Sequence, residues 1–200
     1  MTEPAARDDS AAAVDPADSL DPVDAAATSP RVGLFVAVTA GAAAIDLVTK
    51  AWAVDALIDL PGRAVMVVDP WLELALTWNQ GTAFSMIRDL GAARWFFGAF
   101  SLGVAAALWW MVRRGGGLAV EAVALGLLAS GALGNGYDRV FRIAPNGGTG
   151  VVDFVKVNYP WGGSWPTFNV ADGALVVGAG LLLWMALRGR WSPPGSRASG

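Results

Sequence analysis

The sequence predicts an all-α integral membrane protein of four transmembrane helices with a small extracytoplasmic β-sheet element. Three observations lead there. Of the 200 residues, 54% are hydrophobic and 16% charged, with a mean hydropathy of +0.47, whereas a soluble domain carries roughly 45–50% apolar and about 25% charged residues. Four apolar stretches approach the roughly 20 residues that cross a ~30 Å hydrocarbon core. Between spans one and two lie two short strand-like runs, set off by turn residues.

Residues 1–30 are rich in Ala, Asp and Pro and hold seven of the 17 acidic residues. Such a segment buries too little apolar surface to offset the entropy of ordering, so it is expected to be a disordered cytoplasmic tail. It lacks the basic start, apolar middle and small-residue cleavage site of a secretory leader. Residues 31–190 form the expected membrane domain, and 191–200 a second short tail. The spans fall at about 32–54, 95–112, 118–136 and 170–187. Asp46 and Lys50 interrupt the first late, Arg113-Arg114 ends the second, and Glu121 lies near the start of the third.

Orientation follows the Lys/Arg bias of short loops. Lys plus Arg divides seven to seven between the two sides, but Arg113 and Arg114 sit on the tightest loop. With Arg31, Arg188 and Arg190 they place that loop and both termini on the cytoplasmic side of the membrane. On the far side, Val65–Val68 and Leu72–Trp78 read as strands bounded by Pro61-Gly62 and Gly81. Residues 137–169 read as a loop with a turn at Asn146-Gly147-Gly148, and with Tyr159, Trp161 and Trp165 as interfacial anchors.

There is no Cys and no His, which removes thiolate chemistry, the usual general base and the commonest metal ligand. Acid–base work must fall to carboxylates. Ionisable groups in or beside a span cost about 2.5–3.5 kcal/mol on insertion scales and are functional candidates by default. Asp46, Asp138, Asp153 and Asp172 all fall at one membrane face, and Asp153 lies among Val151, Val152, Phe154 and Val155. Two carboxylates in a dry pocket do not both ionise readily; one keeps a proton while the other activates water. That chemistry calls for no metal and no cofactor, and none is expected. Blander roles stand beside it. Asp46 and Lys50, four apart on a helix, can be a structural ion pair. Asp138 can be a structural carboxylate, Asp172 can cap the fourth span, and Asn135 and Asn169 can be polar glue between helices. Gly131, Gly134 and Gly136 read as close-packing positions. A proton-coupled transporter is the rival reading. It would spread acidic residues through the membrane depth, whereas these cluster at one face.

Five blocks occur in order: Asp46-Leu47-Val48-Thr49-Lys50; Asn79-Gln80-Gly81-Thr82-Ala83-Phe84-Ser85; Gly131-Ala132-Leu133-Gly134-Asn135-Gly136-Tyr137-Asp138-Arg139; Val152-Asp153-Phe154; and Phe168-Asn169-Val170-Ala171-Asp172. Threaded on four spans, they resemble the conserved boxes of lipoprotein signal peptidase (signal peptidase II) over about Ala44–Ala186. The resemblance implies an aspartic endopeptidase of the bacterial inner membrane whose catalytic pair falls on Asp153 and Asp172. Asn79, Gly81, Asn135, Arg139, Asn169 and Ala171 match positions that line or support the site, as do Asp46, Lys50 and Asp138. It further implies, as partners, a prolipoprotein cleaved before its diacylglyceryl-modified Cys and membrane lipids, with no nucleic acid, and a chain working as a monomer. Ser130, Gly136-Tyr137 and a long 139–151 loop depart from the family pattern without removing a box residue.

Overall fold

The computed structural model describes residues 30–81, 93–114 and 117–190. Helix α1 spans Pro30–Leu57, followed by a single 3-10 turn at Pro61–Arg63 and strands β1, Ala64–Val68, and β2, Leu72–Asn79. Helices α2, Ala93–Arg114, and α3, Ala119–Phe141, come next, then strand β3, Val151–Val157, and helix α4, Val170–Leu187. The four helices are long and apolar enough to cross a membrane. The tails expected at 1–30 and 191–200 lie outside the described residues, except for Pro30, which opens α1.

Helix α3 is the hub of the bundle and packs against each of the other three helices. Its glycines allow this. A Cβ at Gly131 would collide with Leu175 and lie 2.7 Å from the Ala171 carbonyl oxygen, and one at Gly136 would lie 2.5 Å from Ser101 Oγ. The packing role read for these glycines holds. The outward faces of α2 and α4 stay apolar, with Phe96, Phe100, Leu102, Val176, Val177 and Leu183 exposed, as expected where the surrounding solvent is lipid. At the end of α2, Arg113 and Arg114 lie over Trp109 and Trp110, with ring-centroid distances of 4.7 and 4.6 Å.

At 28 residues, α1 is roughly 42 Å long and outruns a ~30 Å hydrocarbon core. Its last turns carry the sheet: Ala53 and Leu57 pack with Leu76, Val152 and Phe154 in one buried cluster. A second cluster at the other end joins Val32, Phe35, Val112, Ala122, Leu125 and Ala129.

The sheet is three-stranded and antiparallel in the order β1-β2-β3. The two strands expected between spans one and two are present, but β3 corrects the reading of 137–169 as loop. The run Val151–Val157 is rich in β-branched residues, yet its partner is β2, far back in the chain, so pairing does not show in local sequence. The turn at Asn146-Gly147-Gly148 does form: Gly147 has φ 82° and the Gly148 N–H donates to Asn146 Oδ1 at 3.2 Å. A further correction concerns Asp138, which was placed just past the third span. Helix α3 continues to Phe141, and Asp138 sits inside it, paired one turn on with Arg142 at 2.7 Å. The i,i+4 pair supports helix beyond the apolar run.

Candidate active site

Asp153 is delivered by β3 and Asp172 by the first turn of α4. In β3, Val152, Asp153 and Phe154 are all buried, with Asp153 3% exposed. Register is fixed by Thr77 facing Asp153 across the ladder, with the Thr77 hydroxyl donating to the Asp153 carbonyl at 3.3 Å. Asn169 caps α4. Its Oδ1 accepts the Asp172 N–H at 3.0 Å, and Asp172 Oδ2 accepts the Asn169 N–H at 3.2 Å. This reciprocal box holds the Asp172 carboxylate at the helix N-terminus, where an anion is favoured.

Two asparagines join the two acids. Asn169 Nδ2 donates to Asp153 Oδ1 at 2.7 Å, and Asn135 Nδ2 donates to Asp172 Oδ1 at 2.8 Å. The amides also meet each other, with Asn169 Nδ2 lying 3.2 Å from Asn135 Oδ1. Asp153 and Asp172 are therefore linked carboxylate to amide to amide to carboxylate. Burial is the main cause that raises the Asp153 pKa from 3.8 to about 6, and the neighbouring Asp172 charge adds to it; hydrogen bonds from Asn169 and Asn79 act the other way. Arg139 faces this group: its guanidinium feels the charges of Asp172, Asp153 and Asp138, donates from Nη1 to the Asn135 carbonyl at 3.1 Å, and lies 5.8 Å from the Phe97 ring centroid.

Behind the pair sits a buried cation. Lys50 Nζ contacts Asp46 Oδ2 at 2.8 Å, Asp138 Oδ2 at 3.2 Å and Asn135 Oδ1 at 2.9 Å. Its hydrogen bond goes to Asn135, and the two carboxylates flank it as ion pairs. Lys50 and Asp138 are 0% exposed. Asp46 Oδ1 accepts the Ala171 N–H at 2.8 Å, and Asp138 Oδ2 accepts the Val152 N–H at 3.1 Å. At the mouth, Asn79 ends β2 and its Oδ1 accepts the Gly81 N–H at 3.0 Å. Gly81 has φ 77°, a left-handed conformation that glycine adopts without a Cβ penalty.

A model of the signal peptidase (SPase) II family matches residues 38–188. The chain belongs to that family. Curated relatives include the lipoprotein signal peptidase of Mycobacterium leprae (strain Br4923), 38% identical over 162 residues that cover 80% of this chain and 74% of the relative. Another is that of Methylobacterium sp. (strain 4-46), 38% identical over 164 residues covering 78% and 92%. Among solved structures, a bacterial membrane enzyme determined by the in meso method at 1.9 Å resolution superposes with a TM-score of 0.62 at 28% identity, over 78% of this chain and 94% of that one. With four apolar helices and this membership, the signal peptidase II homologue is a multi-pass membrane protein.

Every site residue expected from the sequence lies within the described residues, and most converge. Asp153, Asp172, Asn135 and Asn169 are bonded to one another. Asp46, Lys50 and Asp138 form the adjoining network. Asn135 and Asn169 bridge elements and touch the acids. Thr82 to Ser85 of the second box lie outside the described residues. Sequence reasoning missed Thr77 and Arg142. Arg142 was legible in principle, since its i,i+4 spacing from Asp138 is a helix signal; Thr77 becomes visible only once β2 and β3 are in register.

Proposed function

We propose that the chain is a membrane-embedded aspartic endopeptidase that removes the signal peptide of diacylglyceryl-modified prolipoproteins, cutting the bond before the lipidated Cys. The observation that carries the reading is the linkage of Asp153 to Asp172 through Asn169 and Asn135. It is supported by family membership and by the relatives' shared name, lipoprotein signal peptidase.

Asp153 is the member whose proton affinity is raised, with burial the main cause, so the active form in this reading is the one in which Asp153 carries the proton. Asp172 receives an N–H on each oxygen, the pattern of a charged acceptor. Water lying against both gives one proton to Asp172 as its oxygen adds to the amide carbon. The Asp153 carboxyl hydrogen-bonds the developing oxyanion. Collapse breaks the C–N bond, and the proton held on Asp172 passes to the departing amine. No external proton is consumed in the cycle.

In this reading the site faces the extracytoplasmic side and both termini the cytoplasm, because Arg113 and Arg114 close α2 beside the shortest interhelical connection. The substrate's apolar signal helix lies along the helices while its acyl chains stay in lipid, and the chain acts as a monomer. The four carboxylates gather at one end of the bundle, unlike a relay crossing it. The test is cleavage of a lipid-modified signal-peptide substrate in proteoliposomes. Asp153→Asn and Asp172→Asn are each expected to lower kcat by about 10²–10⁴-fold or more, and cleavage at the parental rate by either would refute the dyad.

A further inference from the structure

The proposed dyad residues come from separate elements, yet the amide just before each is held by a buried acid. Asp46 Oδ1 takes the N–H of Ala171, which precedes Asp172, and Asp138 Oδ2 takes the N–H of Val152, which precedes Asp153. Lys50 Nζ spans the two acids and also touches Asn135, whose other end binds Asp172. We infer that Asp46, Lys50 and Asp138 act as a clamp on the main chain that sets the separation of Asp153 and Asp172, and that they position the catalytic pair without touching substrate.

Three features support this over a plain structural ion pair. The symmetry is functional, since each acid grips the residue adjoining a dyad member and not an arbitrary amide. The cation is shared, so moving either acid shifts the other through one buried nitrogen. And the arrangement carries a cost: Asp46, Lys50 and Asp138 are almost wholly buried, and buried charges bear a desolvation penalty that well-packed apolar side chains would avoid. Gly134 belongs to the same device, because a Cβ there would overlap Asp46 Oδ2. Lys50 lies on α1, Asp138 on α3, Asp172 on α4 and Asp153 on β3, so the clamp ties four elements at the point where their relative placement decides the reaction geometry.

The inference rests on the dyad reading, and the experiment separates the two. The full-length chain in lipid is assayed on a lipid-modified signal-peptide substrate, with kcat and KM expressed per folded molecule from the thermal unfolding amplitude. Two variants loosen the clamp without leaving a lone charge: Gly134→Ala, which displaces the Asp46 carboxylate, and the charge-balanced pair Lys50→Met with Asp46→Asn. Each is expected to lower kcat by about 10²-fold, the scale of a misplacement near 1 Å, with KM within twofold of the parent. Asp46→Asn alone keeps an oxygen for the Ala171 N–H and is expected to lose less than either. A purely structural role would reduce the folded fraction and melting temperature while leaving kcat per folded molecule unchanged. If kcat stays within threefold of the parent in whichever of the two variants folds, or if KM moves in place of kcat, the clamp is wrong. If Asp153→Asn and Asp172→Asn still cleave, the dyad itself is wrong and the clamp falls with it.

Discussion

At residue 153 the backbone of β3 turns a carboxylate inward between Val152 and Phe154, and burial with Asp172 nearby lifts its pKa to about 6. The folded-state value lies above the unfolded 3.8, so the native state binds more protons between about pH 4 and pH 6. Stability therefore falls as pH rises through that window, and the deficit persists at neutrality. Asp153→Asn removes the charge while keeping an oxygen for Asn169. It is expected to raise thermal stability at pH 7 by on the order of 1–3 kcal/mol, an advantage that fades near pH 4, while abolishing cleavage. Unfolding scans at the two pH values check this. Asn169 is the opposite case: its side chain caps α4 and binds Asp153. Asn169→Ala is expected to cost about 1–2 kcal/mol of stability from the lost cap and to lower kcat as well, measured by unfolding and by substrate cleavage on the same preparation.

Among the elements, the helices were legible because apolar runs of spanning length have few other uses. Their polar ends were not. Helix α3 runs on to Phe141, past the polar Asn135–Arg139 stretch, because Asp138 there is satisfied by Lys50, Arg142 and the Val152 N–H, none of which a hydropathy window registers. Strand β3 escaped for a related reason. Its pairing partner β2 is separated from it by two whole helices, and its fully buried start reads as a generic apolar run. The Asp46–Lys50 pair was visible as i,i+4 spacing, but the second carboxylate on Lys50 was not. Close packing gives an element-scale expectation. A Cβ at Gly178 would lie 2.8 Å from the Ala124 carbonyl oxygen, so Gly178→Ala should push α4 from α3 and cost about 1–3 kcal/mol. Because Gly178 is nearly two turns beyond Asp172, kcat per folded molecule should change far less than in Gly134→Ala. Parallel unfolding and cleavage assays of the two glycine variants distinguish them.

Across the described residues, the helical bundle is a lipid-facing shell that holds a polar knot at its sheet-bearing end, with the largely buried Arg31–Glu121 pair at the other. Few of the knot's parts are adjacent in sequence; Asp46, Asp138, Asp153 and Asp172 meet because α1 passes through the place where α3 ends and β3 and α4 begin. That the five boxes belonged together was readable from their order, but how they bond required the fold. The central claim is that Asp153 and Asp172 occupy one site and share a proton. The most direct test is the titration of the Asp153 carboxyl carbon by 13C NMR, in the parent and in Asp172→Asn. A midpoint near 6 in the parent that drops in the variant, while burial keeps it above the ordinary aspartate value, is the expected result. A midpoint that Asp172→Asn leaves unmoved would show that the two carboxyl groups do not sense each other, and would contradict the account.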